Sequence, residues 1–446
     1  MILASLKNCE NVLFQIRLDY MITPKTPPGF NELLPKDQLA FNKMLSLIEA
    51  AYQRSGFTPL ETSALELALV LLAKEGGETA KQVYRFTKGE TDYALRFDLT
   101  VPLARYVAEH YHELPIPFRR YQIQEVWRAE KPQAGRFRQF YQCDVDIVGS
   151  NSVVADTEVI IAAANAYKAL GLKNIVFKIS HRGLIAGFLK NQKLDRYTTD
   201  VLRTIDKMDK LSSAQISEEL KKAGLSIEDT KEILALVSIK GSAQEVIKKL
   251  STFSITDSGF TEALQRLSEL SKLLEAGGMK STEFIFDLKI ARGFDYYTGV
   301  VFEMFLPDSR SSVGSGGRYD DLISNYSKEN LSGVGASIGV SRLFSVLQEK
   351  DSGPSTPAQA LIVVFDDDLI PYCFKVANEL RKNNINVEIY PGAAKMAKQL
   401  NYANKLGIPF VLLCGEDEEK KNHVTIKDMK TGKQKTVALN KIVKAL

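Results

Sequence analysis

Trp127–Asp146, WRAEKPQAGRFRQFYQCDVD, is the stretch the rest of the chain is built to hold. Two strand-like segments flank a short loop, Lys131-Pro132-Gln133-Ala134-Gly135. Side chains alternate faces along a strand. On the first segment Gln122, Gln124, Arg128 and Glu130 fall on one face. On the second, Gln142, Asp144 and Asp146 share a face, while Tyr141, Cys143, Val145 and Ile147 take the other. One side of the predicted hairpin therefore carries amides, an arginine and carboxylates, and the other is largely apolar. A sheet wetted on one side accounts for that pattern without any function. The loop asks for more: Arg128, Arg136 and Arg138 flank it, and planar guanidinium forks suit phosphate.

A chain of 446 residues corresponds to about three domains. With 25% charged and 45% hydrophobic residues it falls in the ordinary globular class, neither disordered nor fibrous. A net charge of +4 is too small to establish a nucleic-acid partner without a local basic surface. Cys9, Cys143, Cys373 and Cys414 lie far apart and form no CxxC, which points away from a disulfide framework or zinc site and fits a reducing, cytoplasmic setting. His110 and His112 fall on different sides of a helix, so no side-chain cluster for a metal is expected. No apolar run is long enough for a membrane span. Residues 1–20 lack the features of a secretory signal and show no clear periodicity, so they are set apart as an extension of uncertain status, with Met21 a candidate start.

Periodicity predicts a helix from about Lys36 to Ser55 with a stripe of Leu39, Met44, Leu47, Ile48 and Ala51. Glu61 to Lys74 is helix-like. Val83–Thr87 and Tyr93–Asp98 read as a hairpin. Asp98 or Thr100 can be the N-cap of the helix that follows. A helix at about 153–170 and a buried strand at 175–179 precede a Lys/Glu/Leu/Ser block, 195–275, that reads as a helical insertion. Its lysines are explained by solvated helix faces or by a polyanion. Strands return at Phe284–Phe305, followed by Gly314-Ser-Gly-Gly-Arg-Tyr-Asp320, which is neither a Rossmann nor a P-loop fingerprint. A small-residue strand from Gly333 runs into a helix carrying Arg342. After a linker at 350–357 the pattern β-α-β-α-β and a terminal hairpin suggest an α/β domain with a mostly parallel sheet.

Taken with these motifs, the chain from about Thr23 onward resembles the histidyl-tRNA synthetases, class II aminoacyl-tRNA synthetases. Gly56-Phe-Thr-Pro59 is similar to the first class II motif, Val126–Asp146 to the second and Gly339-Val-Ser-Arg342-Leu to the third. Arg292-Gly-Phe-Asp-Tyr-Tyr297 and Gly314–Asp320 resemble the two histidine-specific signatures. The resemblance implies an α+β catalytic domain over 21–350, an antiparallel sheet with flanking helices. It also implies the helical insertion at 195–275 and a C-terminal α/β anticodon-binding domain at 358–446. It implies a homodimer that uses histidine, ATP with Mg²⁺, and histidine tRNA.

Carried over by position, the resemblance implies that Arg128 holds the ATP α-phosphate, Glu130 the adenine end, and Arg136 and Arg342 the outer phosphates. Arg292 bridges the histidine carboxylate and the α-phosphate. Asp98, Thr100 and Gln142 receive the α-amino group, and Asp146 and Tyr297 grip the imidazole, with Tyr296 also in the histidine site. Lys131 and Gln133 meet the tRNA acceptor end. Such chemistry needs no general base, because the attacking carboxylate is already ionised; it needs two anions held together and charge on phosphorus stabilised. The alternative is a non-catalytic, synthetase-like regulatory subunit of histidine biosynthesis, which lacks the anticodon domain.

Overall fold

The structure, a computed structural model, describes residues 24–73, 78–131, 135–208, 211–290, 296–307, 309, 311–347 and 354–446. The N-terminal extension, Gln133 and Arg292 lie outside them.

Pro35–Arg54 (α1) is the first helix, with Pro35 in its opening turn, where a missing N–H costs nothing. It buries Phe41, Met44, Ile48, Ala51 and Tyr52. Leu47, placed in the stripe by spacing, stays exposed, because the buried face is rotated toward Phe41 and Tyr52. After Thr58–Pro59 (β1), the stretch expected to be helical from Glu61 to Lys74 is largely not. Leu65–Leu67 (β2) is a strand and only Ala68–Leu71 (α2) is helical. Backbone pairing overrides the weak helix propensity: Leu65, Glu66 and Leu67 face Leu95, Ala94 and Tyr93. Arg85–Lys88 (β3) and Thr91–Leu95 (β4) form the predicted hairpin and complete a small sheet in the order β2-β4-β3. Thr100–Glu109 (α3) follows.

Phe118–Trp127 (β5) and Gln139–Val148 (β6) are the two arms of the opening hairpin, in unbroken register from Phe118 opposite Val148 to Trp127 opposite Gln139. The predicted division of faces holds. Cys143, Val145 and Ile147 pack into one core with Ile48 and Tyr52 of α1 and with Val159 and Ala163 of Val153–Ala169 (α4). Val176–His181 (β7) and Arg182–Asn191 (α5) lead into the helical block. The block comprises Thr198–Ile205 (α6), Ser213–Lys222 (α7), Ile227–Val237 (α8), the short strand Lys240–Gly241 (β8), Ala243–Leu250 (α9) and Ser258–Ala276 (α10). Ser212, Ser226 and Ser242 start three of these helices with capping boxes, satisfying donors the helix cannot. The block has no separate core: Val201, Leu220, Leu236, Leu250 and Leu267 join the apolar cluster that contains β7 and α4.

Phe284–Asp287 (β9), Val300–Phe305 (β10), Ser312–Tyr319 (β11) and Gly333–Ile338 (β12) complete a nine-stranded, mainly antiparallel sheet in the order β1-β5-β6-β12-β11-β10-β7-β9-β8. Val340–Leu347 (α11) follows β12 directly. Glycines in β11 serve this sheet: a Cβ on Gly316 would strike the Gly335 carbonyl and the Phe302 ring. The C-terminal unit has its own cores. It runs Ala360–Val363 (β13), Ile370–Lys382 (α12), Val387–Ile389 (β14), Met396–Leu406 (α13), Phe410–Leu413 (β15), His423–Asp428 (β16) and Gln434–Ala438 (β17). β13 pairs in parallel with β14 and β15, as expected. The terminal hairpin continues the same sheet antiparallel, so the sheet is mixed rather than mostly parallel.

One buried charge cluster ties the sheet to its helices. Arg318 of β11, 2% exposed, lies 2.7 Å from Asp156 of α4, and Arg266 of α10 lies 2.7 Å from the other oxygen of the same carboxylate. Removing the shared anion takes from both guanidiniums their 2.7 Å partner and leaves Arg318 the more distant Asp320, at 3.3 Å. Asp156→Ala is therefore expected to cost about 3–5 kcal/mol in urea-induced unfolding. A loss below about 1 kcal/mol, as for a surface pair, would show that the cluster does not carry this junction.

Candidate active site

The polar face of β6, with residues 312–315 of β11 and Ser337 of β12, lines a cleft of about 270 Å³. Period-two alternation puts Gln142 and Asp144 on that face, and β12, paired to β6, brings Ser337 opposite Asp144. The Gln142 amide donates to Ser337 Oγ at 2.6 Å. Asp98, at the mouth of α3, does two things at once. It accepts the Val101 backbone N–H at 3.1 Å, which supports the helix start, and it accepts the Tyr296 hydroxyl at 3.2 Å. The N-cap itself is Leu99, so Asp98 supports the helix start from one residue before it and also lines the cleft. Burial raises its pKa, against the pull of the Val101 N–H and Arg128.

Arg128 is held flat. Its guanidinium carbon lies 4.4 Å from the Phe97 ring centroid and 5.1 Å from that of Phe140, and Nε donates to the Phe97 carbonyl at 3.2 Å. Glu130 and Arg136 approach to 3.7 Å at the rim. Arg342, from the first turn of α11, shares the cleft with Arg136. Burial lowers the Arg342 pKa and the Arg136 charge pushes it the same way. Two facing cations of this kind favour an anion between them. Arg138, the third arginine flanking the loop, is used otherwise: it donates to the carbonyls of Glu130 at 2.9 Å and Pro28 at 3.3 Å, pinning the hairpin tip to the chain before α1.

Asp98, Thr100, Arg128, Glu130, Arg136, Gln142, Tyr296, Tyr297 and Arg342 line the cleft together. Lys131 is exposed at the loop. Asp146 does not line the cleft. It lies one step further along β6, 2% exposed, 2.8 Å from Arg120 Nη2, and accepts the Tyr319 hydroxyl at 2.6 Å. Its backbone neighbour on β12 is Gly335, where a Cβ would collide with its carboxylate. The carboxylate that does reach the cleft from this strand is Asp144, which alternation had placed on the right face and to which the motif resemblance gave no role. Burial raises its pKa to about 7; Arg120 opposes that shift and Asp146 adds to it. Phe140 and Ser337 are further lining residues that no sequence signal singled out.

This geometry agrees with what the chain is similar to. A family model described as histidyl-tRNA synthetase matches residues 29–343, and one described as anticodon binding domain matches 359–446. The chain belongs to the histidyl-tRNA synthetase family. Histidine–tRNA ligase of Clostridium tetani is 43% identical over 96% of this chain and 98% of its own length. That of Stenotrophomonas maltophilia is 42% identical over 92% and 94%. The crystal structure of histidyl-tRNA synthetase from a Nostoc species superposes with a TM-score of 0.85 at 34% identity, covering 95% of this chain and all of that one. The nine-stranded sheet, its helices and the C-terminal unit are thus the class II synthetase catalytic fold with its anticodon-binding domain.

The buried floor of the synthetase cleft has a pH signature. Asp144 titrates at about 7 in the native state against 3.8 as its ordinary value. Between those values the native state binds more protons than the unfolded chain, so this group adds stability as pH falls. Melting of the ligand-free protein at about pH 8 and about pH 5 should show Asp144→Asn losing part of the gain that the native sequence makes on acidification. Equal gains in both proteins would refute the buried, titrating carboxylate.

Proposed function

We propose that this chain joins histidine to the 3′ end of histidine tRNA, through histidyl-adenylate, using ATP with Mg²⁺. The observation that carries this reading is the convergence of Arg128, Arg136 and Arg342 with Asp98, Gln142 and Tyr296 in one cleft. Fixed cations suit a polyphosphate, and clustered acceptors suit an ammonium group. In the first step a histidine carboxylate oxygen attacks the α-phosphorus, and the bond to pyrophosphate breaks. We assign Arg128 and Arg292 to the α-phosphate and the attacking carboxylate, and Arg136 and Arg342 to the outer phosphates. Asp98, Thr100 and Gln142 take the α-ammonium. Mg²⁺ supplies neutralisation of phosphate charge; it takes most of its ligands from phosphate and water and needs only one or two protein carboxylates. Glu130, 3.7 Å from Arg136, is assigned to the adenine end of ATP. In the second step a terminal ribose hydroxyl of the tRNA attacks the acyl carbon and AMP leaves. Lys131 and Gln133 are assigned to the acceptor end, and the domain at 359–446 supports tRNA as the acceptor.

The regulatory-subunit reading is disfavoured. A structure described as an ATP phosphoribosyltransferase regulatory subunit/histidyl-tRNA synthetase from Bacillus halodurans shares the fold at 22% identity, but this chain carries both the arginines and the anticodon-binding domain. Cys143, Cys373 and Cys414 are unpaired and buried, and no described helix is long and apolar enough to cross a membrane. The buried free thiols support a reducing site of action such as the cytoplasm. A homodimer is supported by an exposed apolar row across the small sheet. Leu67 and Phe86 each pair with Tyr93, and both are exposed, as is Leu69.

Amino-acid-dependent ATP–pyrophosphate exchange tests the activity. Histidine should support exchange and the other amino acids should not, and Arg128→Ala should lower kcat by about 10²–10³. Exchange by no amino acid, from folded protein, would move the weight to the regulatory reading. Sedimentation tests the assembly: the native chain should run at twice its 49.7 kDa, and Leu67→Asp with Phe86→Asp should run as a monomer. A native chain that runs as a monomer would remove the dimer.

A further inference from the structure

Tyr296 and Tyr297 line the cleft, yet both lie ahead of β10, which begins at Val300. Backbone outside a strand ladder must find its partners elsewhere. The Tyr297 ring lies against Gly317 of β11, where a Cβ would come within 2.8 Å of it. The Tyr297 carbonyl accepts Arg182 Nη1 at 2.6 Å, and the Arg182 backbone N–H donates to the Gly299 carbonyl at 3.0 Å. One residue thus holds this segment at two points, yet Arg182 is not among the described residues that line the cleft. It opens α5, and α5 is seated closely on α10 of the helical block. A Cβ on Gly187 would come within 2.7 Å of the Phe260 backbone nitrogen, and one on Gly183 within 3.2 Å of Ala263. His181 Nδ1 accepts the Gly183 N–H at 3.0 Å and so fixes the start of α5. Burial pushes its pKa down to about 3, helped by the charges of Arg266 and Arg318, so the ring stays a neutral acceptor. A second tether reaches the same segment from α10. Arg266 pairs with Asp156, Asp156 with Arg318, and Arg318 with Asp320 at 3.3 Å. Asp320 accepts the Thr298 hydroxyl at 2.5 Å.

We propose that Arg182 is a positioning residue for the amino-acid end of the cleft. It does not meet the substrate. By holding the Tyr297 backbone it carries the seating of α5 on the helical block into the placement of Tyr296 and Tyr297. The tether from Arg266 through Asp320 to Thr298 makes the same link from the far end of the block. A shift of about 1 Å in a positioning group is enough to cost roughly 10²-fold, so a tether outside the cleft controls what happens within it. The proposal rests on the histidine-activating function proposed above.

The test is histidine-dependent pyrophosphate exchange on the full-length protein, in its native sequence and as Arg182→Met, Arg182→Lys and Arg266→Met, each checked for folding by thermal melting. Methionine keeps the length of the side chain and loses its donors; lysine keeps a charged donor. Arg182→Met should raise the histidine KM by at least about tenfold, the scale of a lost hydrogen bond to a charged group, with the ATP KM within about twofold of the native value. Arg182→Lys should recover most of that loss. Arg266→Met should raise the histidine KM in the same selective way, by about two- to thirtyfold, the range of couplings carried through packed networks. If Arg182→Met does not fold, Arg182→Gln, whose amide falls short of the carbonyl, carries the same test. The proposal is overturned if the folded Arg182→Met leaves the histidine KM unchanged. It is also overturned if that variant raises both KM values together, as a general loosening of the fold would, or if Arg182→Lys is no better than Arg182→Met. An Arg266→Met protein with the native histidine KM overturns the link to the helical block. Each of these results, obtained beside a native protein that exchanges with histidine, leaves the synthetase reading standing. A native protein without histidine-dependent exchange ends both.

Discussion

The ion pair of Arg120 and Asp146 beneath the cleft is the constraint on which the site depends. Both side chains are almost wholly buried, at 0% and 3% exposed, and they stand 2.8 Å apart on opposed residues of β5 and β6. A pair so far from water gives little net stability, since desolvation offsets most of the attraction, but breaking it is costly. Its effect is therefore on register. A slip of one residue between β5 and β6 would turn every polar side chain of the floor into the apolar core and every apolar one into the cleft. Arg120 would then lose Asp146, its partner across the strand pair. Register, and with it the position of Gln142 and Asp144, is fixed by this requirement from one side and by Cys143, Val145 and Ile147 in the core from the other.

The same demand spreads outward. Gln122 donates to Thr62 at 2.8 Å and to Gln124 at 2.6 Å, and Arg96 donates to Gln124 at 2.7 Å and to the carbonyls of Thr62 and Glu125. This chain of amides and guanidinium couples the floor to the segment between β1 and β2. A buried polar network is stable only when every member is satisfied. The condition is not met everywhere: Gln142 Oε1 and Asp144 Oδ1 have no hydrogen-bond partner, and beneath the cleft Arg120 Nε has none either.

How much of this was legible in the sequence follows from the range of each interaction. Alternation along Trp127–Asp146 gave the hairpin, its loop and its two faces, because period two is a local property. The failures are tertiary. Glu61–Lys74 has helix-like content, yet a strand forms there because β4 offers its edge. Leu47 fits a helical stripe, but the packing of Phe41 and Tyr52 sets which face is inward. Arg138 looked like a phosphate ligand until the carbonyls of Glu130 and Pro28 claimed it. Alternation could not rank Asp144 against Asp146 either. They share a face, and only Arg120 and Tyr319, from β5 and β11, decide which of them is covered.

That last distinction bears on how two neighbouring carboxylates are accommodated on one strand face. Covering both aspartates with cations would hold the floor firmly but leave no acceptor for a ligand. Exposing both would put two like charges side by side in a cleft with little water. The arrangement found gives one carboxylate a permanent partner and leaves the other poised. Burial raises the pKa of each, and the charge of Asp146 raises that of Asp144 further. On the other side of the cleft the same logic applies with opposite sign: Arg136 and Arg342 repel each other until an anion enters. Like charges thus lie together on each side of the cleft: Asp144 with Asp146 beneath it, and Arg136 with Arg342.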